Sequence, residues 1–302
     1  MLESTPPHSV DAGATRTFEV RASDGIRLHS ESKGTGPTML LCNGLFCTTQ
    51  YFVPWLRHFP KTYRVVQFDY RSHGRSAEAP DPHRVTMDRL VDDAAAVMQQ
   101  ACPSQLIVVG HSMGVRVALE LYRLFPGRIS HLILLCGSSF NAMGPIPDRS
   151  PFRELITSTL WLAGRTRPAA QLAKDITLRT DLVSKVAYLL GGMSYSLTPR
   201  VPVEALLAHL ERLDVRMMTT LARSYINHTA QTILPTVRAP TLYLVGELDS
   251  LAPPSHARAA ARLLPNAEVC VIDGCTHLAP VERPGRVHDE VEAFLRRHGA
   301  PP

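Results

Sequence analysis

The chain has 302 residues, 45% of them hydrophobic and 20% charged, the composition of a globular protein long enough for one large domain or two and for a substantial core. No uninterrupted apolar run approaches the roughly 20 residues that span a bilayer, and the opening stretch MLESTPPHSVDAGATR lacks the basic start and apolar run of a secretory signal, so we expect a loose arm over residues 1–15, no membrane span and a cytoplasmic protein. The net charge of +5 comes from arginines scattered singly among acids, without the basic runs or aromatic-basic motifs of nucleic-acid binding, which argues against such a partner.

Arg16–Ala22 and Ile26–Ser32 read as alternating strands joined by Ser-Asp-Gly, a hairpin signal. Thr38–Gly44 and Tyr63–Tyr70 follow as buried strands, with a short helix expected over Gln50–Phe59 and an amphipathic helix over Thr86–Ala101. The aliphatic run Leu106–Val109 predicts another buried strand, stopped by Gly110. From Met113 the apolar residues Val117, Leu121 and Leu124 recur at helical spacing, which would leave Arg116, Glu120 and Arg123 facing water. Ile129–Gly137 is again strand-like. Such alternation predicts right-handed βαβ units and a doubly wound, mostly parallel α/β sheet.

The rhythm then breaks. From about Phe140 to Thr236 only helical stretches remain, at Pro151–Ala163, Pro168–Leu190, Val203–Leu213 and Val215–Ile226, which reads as a helical cap over residues 140–236 inserted into a core of residues 16–139 and 237–302. Between Asn141 and Pro235 there are eleven Lys and Arg against seven Asp and Glu, so most of the net positive charge lies in this segment. Strand, helix, strand and helix resume at Thr241–Asp249, Pro254–Leu264, Glu268–Asp273 and Arg283–His298, with Gly299 as the last helix stop.

Within this frame the stretch GHSMG places Ser112 between Gly110 and Gly114, at a strand-to-helix reversal so tight that small residues are needed two positions on either side. The hydroxyl would then stand at the carboxyl edge of the sheet, where open α/β sheets place their ligands. Taken alone, the same pattern also describes a glycine-bracketed turn whose serine caps the helix. A serine becomes a nucleophile when an imidazole takes its proton and a buried carboxylate orients that imidazole. Asp249 and His277 come at the ends of the later strand-like runs that begin at Thr241 and Glu268, and lie at the same edge. Glu247 is an alternative acid, and Asp273, four residues before His277, could orient the imidazole locally.

Four motifs in this order, NGLF at Asn43–Phe46, FDYRSHGRS at Phe68–Ser76, GHSMG, and the pair GELD with GCTHLAPVERP, resemble the α/β-hydrolase fold family from about Thr17 to His298. The resemblance implies Ser112 as nucleophile, Asp249 as acid and His277 as base of a serine hydrolase, with an oxyanion hole made by the backbone N–H groups of Leu45 and Met113. The family usually has His-Gly in place of Asn43-Gly44, and glycine in place of Ser72. Asn43 could structure its loop with a side-chain hydrogen bond or offer its amide to substrate.

Serine at the elbow fits an acyl-enzyme route on a carboxylic ester or thioester, and C–C bond hydrolases and acyl-carrier or CoA thioesterases of this fold share the required chemistry; a non-catalytic ligand-binding relative is the reading from another class. An apolar or partly acidic small-molecule acyl substrate is expected, its pocket lined by Asn43, Phe46, Phe140, Met143, Trp161, Met193, Tyr195, Met217 and Met218, or these residues form the cap's own core. The cap's positive charge could attract an acidic carrier protein. The six cysteines show no C-x-x-C pair and the histidines no H-E-x-x-H pattern, so neither metal nor cofactor is expected. His111 is expected to pack beneath the elbow, and Cys47 and Cys275 to be buried bystanders.

Overall fold

The computed structural model describes residues 13–141, 165–178 and 192–300, together with residues 158, 162, 180 and 185. Eight strands form one sheet: β1 (Arg16–Arg21), β2 (Arg27–Lys33), β3 (Thr38–Cys42), β4 (Arg64–Phe68), β5 (Leu106–His111), β6 (Ile129–Leu135), β7 (Thr241–Gly246) and β8 (Ala267–Ile272). Their order is β1-β2-β4-β3-β5-β6-β7-β8. β1 and β2 pair antiparallel, as does β2 with β4, and every pair from β4 to β8 is parallel. This is the mostly parallel, doubly wound α/β sheet that the alternation of patterns predicts.

The central strands are aliphatic throughout because both faces are covered. Along β5, Leu106 and Val108 enter one core with the helices α2 (Met87–Ala101) and α3 (Gly114–Leu124), while Ile107 and Val109 enter a second core with Trp55, Phe59 and Phe294. Chain order reverses direction at β3. Its successor β4 lies on one side and β5 on the other, so the loops after β3 and β5 diverge and leave a crevice at their carboxyl ends.

The Gln50–Phe59 segment is a 3₁₀ turn, Thr49–Phe52, followed by the helix α1, Val53–His58. Pro54 is the reason: it has no N–H to continue the preceding turn and suits the start of a new one. Arg116 corrects the expectation of a water-facing residue, since it is fully buried. Its guanidinium donates to the carbonyls of Ser138, Tyr225 and His228 and lies 4.1 Å from the Tyr225 ring centroid, partners that three-residue helical periodicity cannot reveal.

Between β6 and β7 the described residues contain no strand. They form helices α4 (Arg167–Leu178), α5 (Arg200–Arg212) and α6 (Val215–Asn227) and a 3₁₀ turn at Gln231–Thr236. α5 packs on the Thr49–Phe52 turn, and α6 on α2 and the 3₁₀ turn Pro82–Arg84. The segment therefore lies against the loops that follow β3 and β4. Among the described residues no helix is long and apolar enough to cross a membrane. After β7 come α7 (Pro254–Ala261), the single turn α8 (Ala279–Glu282) and α9 (Pro284–Arg297).

Candidate functional site

Backbone strain gathers at the carboxyl edge of the sheet. Phe46 after β3, Ser112 after β5 and Cys136 after β6 have φ of 59°, 55° and 45°, a region that side chains other than glycine seldom occupy. Each such residue costs on the order of 1–3 kcal/mol and persists only where its surroundings impose it. At Ser112 the surroundings are explicit. A Cβ on Gly110 would lie 2.3 Å from the Gly114 carbonyl oxygen, and one on Gly114 would lie 2.2 Å from the Cys42 carbonyl oxygen. The Ser112 N–H donates to the Leu135 carbonyl at 2.9 Å, pinning the turn to β6.

This turn lifts the Ser112 hydroxyl toward the loop after β8. Ser112 Oγ and His277 Nε2 are 2.9 Å apart, and His277 Nδ1 is 2.9 Å from Asp249 Oδ2. The other Asp249 oxygen, Oδ1, accepts from the N–H groups of Leu251 and Ala252 at 3.0 and 2.8 Å, so a carboxylate with no side-chain exposure is saturated by donors. Those bonds fix the Nδ1–H tautomer of His277 and leave Nε2 to accept from the serine. Glu247 is exposed and instead accepts from the Gly274 N–H at 2.9 Å, while Asp273 is exposed on its turn. The structure thus brings Ser112, His277 and Asp249 together and leaves both alternative acids outside.

The loop after β3 is anchored from the neighbouring strand. Asn43 is fully buried and donates from Nδ2 to the Phe68 carbonyl at 3.1 Å, a bond that structures the loop. Asp69 accepts from the Thr49 and Arg75 N–H groups at 2.7 and 2.9 Å. A Cβ on Gly74 would lie 2.2 Å from that carboxylate. Ser72 stands where the family pattern has glycine and keeps the glycine-like φ of 60°, its hydroxyl accepting from the Ala79 N–H at 2.9 Å. Leu45 follows Gly44 in this loop. Met113 precedes the first residue of α3, so its N–H has no acceptor within the helix.

Beside the crevice a small apolar recess is lined by Phe46, Cys47, Tyr51, Met193, Leu206 and Leu278 among others, as well as His209. Of the expected pocket residues, Phe46 and Met193 are here. Phe140 instead meets His256 edge to face at 6.1 Å, Met217 is core, and Met218 packs half-buried on the same core. Tyr195 is 76% exposed, because the turn carrying it spends its polar groups on a buried partner and leaves the ring at the surface. Met143 and Trp161 lie outside the described residues.

His111 stacks on Tyr51 with centroids 4.1 Å apart, and its Nε2 lies 2.8 Å from the Tyr51 hydroxyl. Burial, aided by the neighbouring His277, holds its pKa well below the ordinary histidine value, so it packs as a neutral ring. Burial also pushes the Cys47 thiol up to about 12 and that of Cys275 to about 11, far from the thiolate form. Tyr51 and His209 carry no motif of their own, and only their proximity in the fold places them here, whereas Glu282 lies within the GCTHLAPVERP stretch and went unremarked there.

A family model described as the alpha/beta hydrolase fold matches residues 37–284. The chain belongs to the alpha/beta hydrolase fold family. The hydrolase is 25% identical over 264 residues to a 2-(acetamidomethylene)succinate hydrolase of Mesorhizobium japonicum, covering 83% of this chain and 85% of that one. It is 29% identical over 257 residues to a pimeloyl-[acyl-carrier protein] methyl ester esterase of Methylococcus capsulatus, covering 83% and 91%. Among solved structures, a thermophilic esterase from Thermogutta terrifontis superposes with a TM-score of 0.75 at 23% identity, over 94% of this chain and 99% of that one. At this identity the structural likeness speaks for the fold.

Proposed function

We propose that the hydrolase cleaves a carboxylic ester or thioester through an acyl-enzyme, with Ser112 as nucleophile, His277 as general base and Asp249 as its orienting acid. The observation that carries this reading is the unbroken hydrogen-bonded series from Ser112 Oγ through His277 to Asp249, with both contacts at 2.9 Å. In the first half-reaction Ser112 Oγ attacks the acyl carbon as its proton passes to His277 Nε2. The resulting imidazolium is stabilised by Asp249 Oδ2. The carbonyl oxygen, now an oxyanion, accepts from the Leu45 and Met113 N–H groups, and the leaving alcohol or thiol departs with the proton held on His277. Water then attacks the acyl-enzyme, giving its proton to His277, and the acid is released with Ser112 restored.

The recess lined by Phe46, Met193, Leu206 and Leu278 takes the apolar part of the acyl group in this reading, and residues 140–236 form the cap that closes over it. One of the named relatives is a methyl ester esterase, which supports the ester reading. Hydrolysis of matched acyl esters and acyl thioesters of increasing chain length tests the proposal. Saturable turnover that falls by several orders of magnitude in Ser112→Ala, with Tm unchanged, is expected. Retention of a substantial share of turnover in that variant would remove Ser112 from the role.

A further inference from the structure

Glu282 is a buried carboxylate, 8% exposed, five residues beyond His277. Its Oε2 accepts from the Thr276 N–H at 2.7 Å. Its Oε1 accepts from the Thr276 hydroxyl at 2.6 Å, the Thr198 hydroxyl at 2.6 Å and the Ser194 N–H at 3.1 Å. Four donors converge on one carboxylate, and they come from two parts of the chain. Thr276 immediately precedes His277. Ser194 and Thr198 belong to the inserted segment between β6 and β7, and Ser194 follows Met193, which lines the apolar recess. Leu278 and Val281, at the start of and within the turn that Glu282 ends, line the same recess.

We propose that Glu282 is a positioning residue that ties the inserted segment to the His277 loop, so that filling the apolar recess and aligning His277 on Ser112 are one event. The inference rests on the reading of Ser112 and His277 given above. Its physical basis is the geometry of the bonds. Charge-assisted bonds to a buried carboxylate are stronger and less tolerant of displacement than neutral ones. The Thr276 peptide that they clamp leads directly into the imidazole, where a displacement of about 1 Å can cost on the order of a hundredfold in rate. Any movement of Met193 away from Leu278 as substrate enters is opposed by the Ser194 and Thr198 arms and transmitted through the carboxylate to Thr276. A carboxylate is required. An amide in its place would turn one N–H toward either the Thr276 N–H or the Ser194 N–H, setting donor against donor.

The test uses the full chain with two arms. Glu282→Gln should lower kcat about a hundredfold on every ester, and slow labelling of Ser112 by a fluorophosphonate to a similar degree, with KM changed less than threefold. Thr198→Val cuts only the arm to the inserted segment. It should lower kcat about tenfold on a long-chain acyl ester that fills the recess while leaving an acetyl ester within twofold of wild type, and Thr198→Ser should restore the long-chain rate. Wild-type labelling and turnover in a folded Glu282→Gln protein would overturn the proposal. So would equal losses on both esters in Thr198→Val that follow a lowered Tm, since the tie would then only hold the fold. If wild-type Ser112 itself resists the probe, it is the catalytic reading that fails, and the two failures are thereby told apart.

Discussion

At the scale of single residues, the site depends on what each side chain is denied as much as on what it touches. Ser112 is denied a relaxed backbone, Asp249 any contact with water, and His277 a free choice of tautomer. Asp249→Asn should keep the shape and favour the wrong tautomer, costing on the order of 10⁴ in kcat. Glu247→Gln should stay close to wild type. Steady-state kinetics on one ester decides between them, and the reverse ranking would move the acid to Glu247. These three residues could be nominated from sequence because the elbow glycines and the loops after successive strands mark them. Arg116 and Tyr195 could not be placed that way. Helical periodicity predicts which face a residue occupies but not that backbone carbonyls from Ser138, Tyr225 and His228 wait to receive a guanidinium, nor that a turn turns its tyrosine outward.

At the scale of elements, the turns carry the design and the strands merely aim them. Gly110 and Gly114 are fixed by contacts of 2.3 and 2.2 Å that any Cβ would make with backbone oxygen, which cannot swing aside. Gly114→Ala should therefore destabilise by roughly 3 kcal/mol or more, beyond the usual range for a single added methyl, and should broaden or abolish cooperative denaturant unfolding. The turn itself was legible, since its glycine spacing follows from hard-sphere geometry. The helix ends were less so. Pro54 splits the Gln50–Phe59 stretch, and α5 starts at Arg200, three residues before its apolar pattern begins at Val203, because Pro199 is an extended N-cap. Nor does a helical pattern say which of its apolar residues face substrate: Met193 lines the recess whereas Met217 and Met218 pack on the core. Met193→Ala and Leu206→Ala should shift the ratio of long-chain to short-chain ester turnover by up to tens-fold, with little effect on an acetyl ester. Uniform losses that track a lowered Tm would assign both residues to packing alone.

At the scale of the whole molecule, two cores sandwich one sheet, and two buried histidines outside their apolar membership, His73 and His288, resist protonation. Burial, with His209 nearby, takes His73 down to about 4, and burial with the adjacent His58 does the same for His288, against the opposing pull of Glu292. Because the folded protein binds these protons less readily than the unfolded chain, the stability they confer is complete above about pH 6.5 and is lost as pH falls toward 4. Each contributes at most about 3 kcal/mol of that loss. Denaturant unfolding should show stability falling between pH 7 and 4.5, and His288→Gln should flatten part of the slope; an unchanged slope would mean that His288 titrates alike in both states. The doubly wound, mostly parallel sheet was readable from the alternation of patterns, and the shared edge of the loops carrying Ser112, Asp249 and His277 from their places after strands; the strand order and its reversal at β3 were not, because pairing between strands leaves no local mark in the sequence. The tie from Glu282 to Thr198 was not, because it joins residues 84 positions apart that no local rule connects. The central claim is that Ser112 forms the acyl-enzyme. Rapid quenching of the hydrolase with an activated long-chain ester, followed by peptide mass mapping, tests it most directly. The account predicts one acyl group on Ser112 that disappears on chase and never forms in Ser112→Ala. Turnover with no acyl adduct on Ser112, or with the acyl group on another residue, would contradict it.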